Sequence, residues 1–465
     1  MTESGGNRFV DLFRRIVPDS FVFAIVLTII CAVLAAVTVR ATPIRIISGW
    51  YEGFWTLLEF GMQMILILVT GYAIALTPQA NRLIERIAKV IKSPSKVYVF
   101  VTIIGTLFGF VSWGWVVITA VLARKLAEKV SGVNYLYLTA IVYLSSNGWV
   151  SGLSSSIPLV LNTDGNFLIE TGILSAKIPI SMTLGSPLNI AMIAFYLVVP
   201  PVLIYALRPG PDDSSEIGSL KDDDGAVREA SIEEEAAGQN LPYKALSDSL
   251  NNSSVLSLIL VAMGAVYIFY YFGTRGFDLN LNIMIFTFLV FGLLLHRTPM
   301  RYVIAMKRAC SNISGIVFQY PFYAGIMGIM IHTGLGAAIG TAMASNASLY
   351  TYPLYSYAAG AIVNFAIPSA GGEYAVLAPS LVSALKEMAA GLSAGEQTAM
   401  IAKASLSVAY GETVTNLLQP FFFLTIVPVM CAGVKVAVRD VMGYLFVPFT
   451  IYVVVQCILI TFVPV

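Results

Sequence analysis

The chain is a succession of long apolar runs, near residues 21 to 39, 57 to 77, 97 to 123, 135 to 161, 187 to 207, 254 to 272, 280 to 296, 316 to 343, 353 to 385, 400 to 430 and 441 to 463. The first is about long enough to cross a hydrocarbon core of ~30 Å and predicts a membrane helix. Arg8, Arg14 and Arg15 ahead of it resemble the start of a signal peptide, but many spans follow, so an uncleaved first helix is expected.

Two distant stretches, 101 to 158 and 359 to 420, carry one pattern written twice. Each has an apolar segment broken by a small-residue turn, Phe110-Val-Ser-Trp-Gly-Trp115 in the first and Asn364 to Glu373 in the second. A second segment follows, broken by polar residues (Ser145 to Gly148, and Tyr410 to Thr413) and by a proline (Pro158, Pro420). The offsets between matching positions are nearly constant: 263 for Thr70 and Thr333, 257 for Ser112 and Ser369, 262 for Pro158 and Pro420. A duplication explains that constancy.

Lysine and arginine assign the sides, because basic loops stay in the cytoplasm. Arg82, Arg86, Lys89, Lys92 and Lys96 mark one such loop, Arg124, Lys125 and Lys129 a second, and Arg297, Arg301, Lys307 and Arg308 a third. The run 97 to 123 therefore begins and ends on one side, yet it is too short for two crossings of roughly 20 residues each. A re-entrant helical hairpin is expected there, its turn covered by protein or lining a cavity. The same count places 353 to 385 as a hairpin entering from the outside, so the halves are expected to be inverted. The predicted organisation is a first half (1 to 208) with hairpin 97–123 and broken helix 135–161, a linker (209 to 253), and an inverted second half (254 to 465) with hairpin 353–385 and broken helix 400–430.

Composition places the whole in a bilayer: 57% of residues are apolar and 11% charged, more apolar surface than a soluble core could hide. The net charge of +1 conceals an asymmetry, since residues 212 to 248 hold 11 of the 26 acidic residues and 3 of the 27 basic ones. The linker is accordingly expected to be a solvated cytoplasmic segment, with a short amphipathic helix near Ser231 to Gln239 as the alternative. Cys31, Cys310, Cys431 and Cys457 have neither metal-ligand spacing nor a secreted disulfide pattern and are read as packing residues.

Inverted repeats with broken helices place a binding site near the midplane, where helix N-termini offer N–H groups to an anion and freed carbonyls coordinate a cation. A carboxylate and a coupling ion are the natural ligands. The stretches Asn364 to Pro379 and Ala409 to Phe421, with Phe54 to Met64 earlier, resemble the bacterial short-chain fatty acid transporter family, the AtoE type, and the similarity runs over nearly the whole chain. The resemblance implies uptake of butyrate, acetoacetate or similar monocarboxylates across the inner membrane, by a dimeric, elevator-type carrier of the wider ion-transporter superfamily. One departure is Ala370, where the family's turn has glycine, and this questions the backbone freedom of that turn.

The residues agree on substrate size. Neither turn carries arginine or lysine, so a dicarboxylate would lack its usual cationic clamps, whereas one carboxylate can be held by N–H dipoles and hydroxyls. Phe108, Phe110, Trp113, Trp115, Trp149 and Phe365 either shelter a short acyl tail or pack the hairpin against its scaffold, with Trp113 and Trp115 the best candidates for lining. The substrate residues expected are Ser112, Trp113, Trp115, Asn147, Ser369, Thr415 and Asn416. For the coupling ion, Na+ or H+, they are Ser145, Ser146, Gly371, Glu373, Gly411, Glu412 and Thr413. Glu373 and Glu412 are the two acids deep in the broken segments, and an intramembrane carboxylate is costly enough to suggest a function. Either could carry a proton; the alternative is that both only accept hydrogen bonds from freed N–H groups. Gln419 is expected to cap a carbonyl left free by Pro420.

No H-E-x-x-H, G-x-S-x-G or phosphate-loop motif occurs, and no base is spaced to activate Ser151 or Ser154, which argues against an enzyme. A channel, or a carrier of another organic anion such as a dicarboxylate, remains the alternative, although channels usually repeat identical pore elements around an axis. The expected partners are one small monocarboxylate, the lipid bilayer and a second copy of the chain, with no nucleic acid and no cofactor beyond the coupling ion. The N-terminus is expected in the cytoplasm.

Overall fold

A computed structural model of the protein describes residues 20–79, 82, 86, 91–210, 215–220, 231–241, 243, 245–310, 314–364, 367, 369–418, 426–431, 434, 436 and 438–465. The N-terminal arginines, Lys89, Phe365, Gln419 and Pro420 lie outside the described residues. Every regular element among the described residues is helical.

The first half runs through α1 (Ser20–Thr38), α2 (Pro43–Thr56), α3 (Leu58–Ala75), α4 (Pro94–Val111), α5 (Val116–Lys129), α6 (Tyr135–Ser145), α7 (Ser156–Leu161), the short α8 (Phe167–Glu170) and α9 (Pro187–Ala206). Beyond the linker helix α10 (Ile232–Gly238) come α11 (Ser254–Arg275), α12 (Leu281–His296), α13 (Pro299–Cys310), α14 (Ser314–Thr333), α15 (Leu335–Asn346), α16 (Tyr352–Val363), α17 (Ala370–Met388), α18 (Ala394–Asn416), α19 (Val427–Met430) and α20 (Phe446–Phe462). Five helical segments among the described residues are long and apolar enough to cross a membrane.

Burial sorts these helices into layers. Along α11 only Ser257, Val261, Gly264 and Tyr271 are buried, and Met263, Val266, Phe269 and Tyr270 are exposed, as expected of a helix facing lipid. At the centre, α18 is buried on every side from Ala404 to Asn416, and α6 nearly so. The terminal helix α20 turns Pro448, Tyr452, Gln456 and Ile460 inward at helical spacing. There the Gln456 amide donates to the Tyr196 hydroxyl (2.9 Å) and accepts from Tyr357 (2.8 Å), which satisfies polar groups that would be costly against lipid.

A helix–turn–helix stands at each of the two positions where a hairpin is expected, and each is longer than its apolar run. In the first, α4 and α5 fold back on each other about a turn at Ser112, so that a Cβ placed on Gly105 would lie 2.8 Å from the Thr119 methyl group. The second joins α16 and α17. Charged helix ends explain the difference in length, since Lys96 in α4 and Lys125 and Lys129 in α5 extend those helices beyond the apolar count. By rise per residue the 18 residues of α4 span about 27 Å.

The first broken helix matches expectation: α6 ends at Ser145, residues Ser146–Ser151 form a 3-10 turn, and the chain is non-helical until α7. The second does not break where expected. Residues 410 to 413 are regular helix, and α18 continues to Asn416. Gly411 is there for packing, because a Cβ on it would lie 2.0 Å from the Tyr357 carbonyl oxygen of α16. Ala370 raises no difficulty either: positive φ among described non-glycine residues occurs only at Arg40 and Arg297, and Ala370 simply opens α17.

The linker also departs from a purely solvated segment. A short helix, α10, stands where the amphipathic alternative places one, and it starts with a capping box from Ser231 and Glu234. Ile232 and Ala236 are buried in a cluster with Ile304 and Ala305 of α13 and Ala73 of α3. Glu233 and Glu235 reach Arg301 (3.5 Å) and Arg308 (2.6 Å) of that basic helix.

Candidate transport site

Each half contributes a turn that stops a helix in the protein interior. Ser112 adopts an extended conformation (φ −157°) that ends α4, and the next residues curl into a single 3-10 turn. The turn that follows the 3-10 segment of the first broken helix packs against this point, with Leu153 N–H donating to the Phe110 carbonyl (2.6 Å) and Trp113 N–H to Ser154 Oγ (3.2 Å). In the second half Ser369 caps α17, its hydroxyl oxygen accepting from Gly372 N–H (3.4 Å) and lying 3.0 Å from the Tyr320 hydroxyl. The N–H groups of Ala370 and Gly371 occupy the first positions of the helix, where no intrahelical carbonyl is available.

These turns enclose a cavity of about 70 Å³. One water needs roughly 10–15 Å³, so the space accommodates several heavy atoms. Its polar corners are Ser112, Ser154, Ser156, Ser369 and Glu412, and its apolar walls include Met64, Ile67 and Leu68 of α3 with Trp113, Trp149 and Tyr320. Among the described residues no lysine, arginine or histidine lines it.

A second cavity of about 10 Å³, the size of one water or ion, lies beyond Trp113 and Trp149, which line both spaces. Ser146, Asn147, Thr413, Asn416 and Tyr143 surround it. The Thr413 hydroxyl lies 2.6 Å from the Asn147 carbonyl and 2.7 Å from its side-chain oxygen, joining the two halves. The end of α18 is held from outside: the Asn364 amide nitrogen shares its two hydrogens among the Glu412 carbonyl (3.0 Å), Thr415 Oγ1 (2.8 Å) and Asn416 Oδ1 (2.7 Å), while Tyr143 donates to the Asn416 carbonyl. Carbonyls of the last turn are thus satisfied without a following helix.

The two acids differ in placement. Glu412 lines the larger cavity, with Asn416 Nδ2 donating to its Oε1 (2.9 Å) and no partner on Oε2 among the described residues. Glu373 is fully buried behind it and has no partner on either oxygen among those residues. It faces α16, where a Cβ on Gly360 would meet its Oε1 at 3.0 Å.

Of the residues expected at the site, Ser112, Trp113, Ser369, Gly371 and Glu412 come together at the larger cavity, and Ser146, Asn147, Thr413 and Asn416 at the smaller one. Four are elsewhere. Trp115 packs on Phe108 and donates its indole N–H to the Gly71 carbonyl (3.1 Å). Ser145 bonds back to the Val142 carbonyl and abuts Gly105, while Gly411 is a helix-crossing glycine. Thr415 faces Asn364. Sequence reasoning passed over Ser156, Tyr320, Asn364 and the α3 wall. Asn364 stands in the Asn364 to Pro379 motif and Ser154 just after the first break, whereas the cavity-lining residues of α3, Met64, Ile67 and Leu68, are all apolar and carry no local signal.

An all-helical chain with several membrane-length apolar helices around an enclosed, turn-lined cavity defines a multi-pass membrane transporter. The chain belongs to the short-chain fatty acid transporter family, whose profile, described as "Short chain fatty acid transporter", matches residues 1–463. It is 35% identical over 440 residues to a protein of Escherichia coli (strain K12), covering 94% of each chain. With a protein of Haemophilus influenzae (strain ATCC 51907 / DSM 11121 / KW20 / Rd) it shares 31% identity over 444 residues, 94% of this chain and 95% of the other. Both relatives carry the provisional description short-chain fatty acid transporter. Among solved structures the fold is similar to the Alcanivorax borkumensis YdaH transporter (TM-score 0.60, 13% identity, 95% of this chain and 98% of that one). It is also similar to Neisseria gonorrhoeae MtrF, from a class of antimetabolite efflux pumps (TM-score 0.52, 14% identity, 96% of each chain).

Proposed function

We propose that this chain is a secondary active carrier of one short-chain monocarboxylate, such as butyrate or acetoacetate, across a bacterial inner membrane. The supporting observation is the chemistry of the larger of these two cavities: hydroxyls and the first N–H groups of α17 at one set of corners, apolar walls, and no cationic side chain among the described residues. Helix N-termini hold a single carboxylate well. A second carboxylate would be desolvated there without compensation.

Coupling to a cation, proton or sodium, is part of the proposal. Glu412 is the candidate proton carrier, being the acid on the cavity wall with one oxygen partnerless among the described residues. The smaller cavity with Asn147, Thr413 and Asn416 is the candidate for a sodium ion. Elevator motion of the hairpins, a homodimer and a cytoplasmic N-terminus follow from the superfamily resemblance and the basic loops.

The test is uptake of radiolabelled acetate, butyrate and acetoacetate into proteoliposomes under separately imposed proton and sodium gradients. Accumulation against a concentration gradient under one of them supports the carrier; equilibration without accumulation under both supports a channel and overturns it.

A further inference from the structure

The wall of α3 does not end at the transport cavity. One helical turn beyond the cavity-lining pattern of Met64, Ile67 and Leu68, toward the start of the helix, stands Phe60, which is 4% exposed. Its ring is tilted against Phe167 of α8 with centroids 5.2 Å apart and meets Tyr320 edge-on at 5.9 Å. On its inner side it touches the tip of the second hairpin, since a Cβ on Gly371 would lie 2.9 Å from Phe60 Cζ.

On its outer side are two polar spaces. Phe60 itself lines a small one of about 10 Å³ with Glu59, Gln63 and Thr163. Thr163 also borders a cavity of about 350 Å³ that holds Asp164, Arg275 and Asn282. Gln63 donates to Asn282 across the boundary of the two (2.9 Å). All of this lies at the α3 end opposite the basic stretch that follows Ala75, which is the outer side by the positive-inside rule. The polar spaces and the transport cavity are thus arranged in sequence along one face of α3, with an aromatic ring between them.

We propose that Phe60 is the partition between the outer vestibule and the transport cavity, and that it must swing away from Phe167 and Gly371 for a carboxylate to pass. The reading rests on the 70 Å³ cavity between the two turns being the substrate site. A phenyl ring suits this position because it fills the gap between Met64, Phe167 and Tyr320 with no polar group to satisfy. Gly371 suits it because any side chain there would collide with the ring and hold the hairpin tip away. Moving a buried ring out of apolar packing holds the open form to roughly one part in ten to one in a hundred, so its removal should raise access by a similar factor.

External access is measured with a membrane-impermeant thiol reagent on Ile67→Cys in reconstituted protein, with the reactivity of the four native cysteines determined on the parent and subtracted. Adding Phe60→Ala is expected to speed labelling roughly tenfold or more, and Phe60→Leu to give an intermediate rate. Equal labelling of I67C with and without F60A, in folded monodisperse protein, overturns the partition. Because Phe60→Leu keeps an apolar side chain, the same comparison made with it decides the matter if F60A does not fold: an unchanged rate overturns the proposal. Slowing of I67C labelling by butyrate tests the substrate site separately. Its absence refutes that site, while faster labelling in F60A still identifies Phe60 as the barrier.

Discussion

The hydroxyl of Thr413, on the central helix of the second half, lies 2.6 Å from the main-chain oxygen of Asn147 and 2.7 Å from its side-chain oxygen, in the broken helix of the first half. One proton cannot serve both acceptors at once, so one oxygen of Asn147 always has capacity for another donor or a cation. Thr413→Val removes the hydroxyl that reaches both Asn147 oxygens and leaves those buried oxygens without it, a cost of about 1–3 kcal/mol. Uptake is expected to fall roughly tenfold or more and to recover in Thr413→Ser. Wild-type rates in the valine variant would show that the junction is not used.

Glu412→Gln keeps the oxygen that accepts from Asn416 and removes the ionisable group from the cavity wall. Butyrate uptake driven by a pH gradient is expected to be abolished while equilibrium exchange continues. If the variant accumulates butyrate under a pH gradient as the wild type does, Glu412 is not the proton carrier.

Gly411→Ala would bring a methyl group to 2.0 Å from the Tyr357 carbonyl, and a main-chain oxygen in a helix cannot step aside. Destabilisation of at least about 3 kcal/mol is expected, visible as a lower melting temperature in detergent. Gly395→Ala, near the exposed start of the same helix with nothing within 4 Å, should be neutral or stabilising by up to about 1 kcal/mol. The pair separates a packing requirement from a general sensitivity of α18.

The acidic helix α10 is held on α13 by Ile232 and Ala236 together with half-exposed ion pairs, each worth about 0.2–1 kcal/mol. Reversing both charges (Glu233→Lys with Glu235→Lys) should release it and speed limited proteolysis between residues 231 and 241. Raised salt should have a smaller effect of the same sign on the wild type. Unchanged cleavage in the charge-reversed protein would mean the apolar contact alone holds the helix.

Acid should loosen the outer corner where Asp278 meets Asn162 and Lys177. Burial pushes the Asp278 carboxyl up, but hydrogen bonding from Asn162 (2.7 Å) and the Lys177 ammonium (3.4 Å) more than offset it, and the group titrates below its ordinary value. Its contribution to stability is therefore present above the ordinary aspartate value of about 3.9 and is lost as pH falls through the lowered one. Lys177 is partly desolvated, yet Asp164 and Asp278 hold it above its ordinary value, so its share is lost only as pH rises through that raised value. Melting temperatures should drop on the acid side in the wild type and less so in Asp278→Asn; parallel acid limbs would refute the assignment.

How much of this could be read from the chain varies by element. Both hairpins and the first break were legible, because small residues such as Ser112 and Gly148 interrupt apolar runs that could otherwise continue as helix. The second break was misplaced for the same reason: Gly411 looks like an interruption, but its missing side chain serves a close helix crossing that no local pattern reveals. The site was half legible. Ser112, Ser369 and Glu412 stand out as polar residues in apolar surroundings, whereas Met64, Ile67 and Phe60 look like any other membrane-helix residues until their neighbours are known.

By itself, the sequence determined that the protein lives in a bilayer and that polar residues stand at the interruptions of its apolar runs. Hydrophobicity and backbone hydrogen bonding act locally, and in lipid they leave few alternatives. Only the tertiary structure decided which interruptions meet, that Thr413 reaches across to Asn147, and that Glu412 faces a cavity while Glu373 lies behind it. Those outcomes depend on how residues more than 200 positions apart pack, and packing is a property of the assembled helices rather than of any one of them.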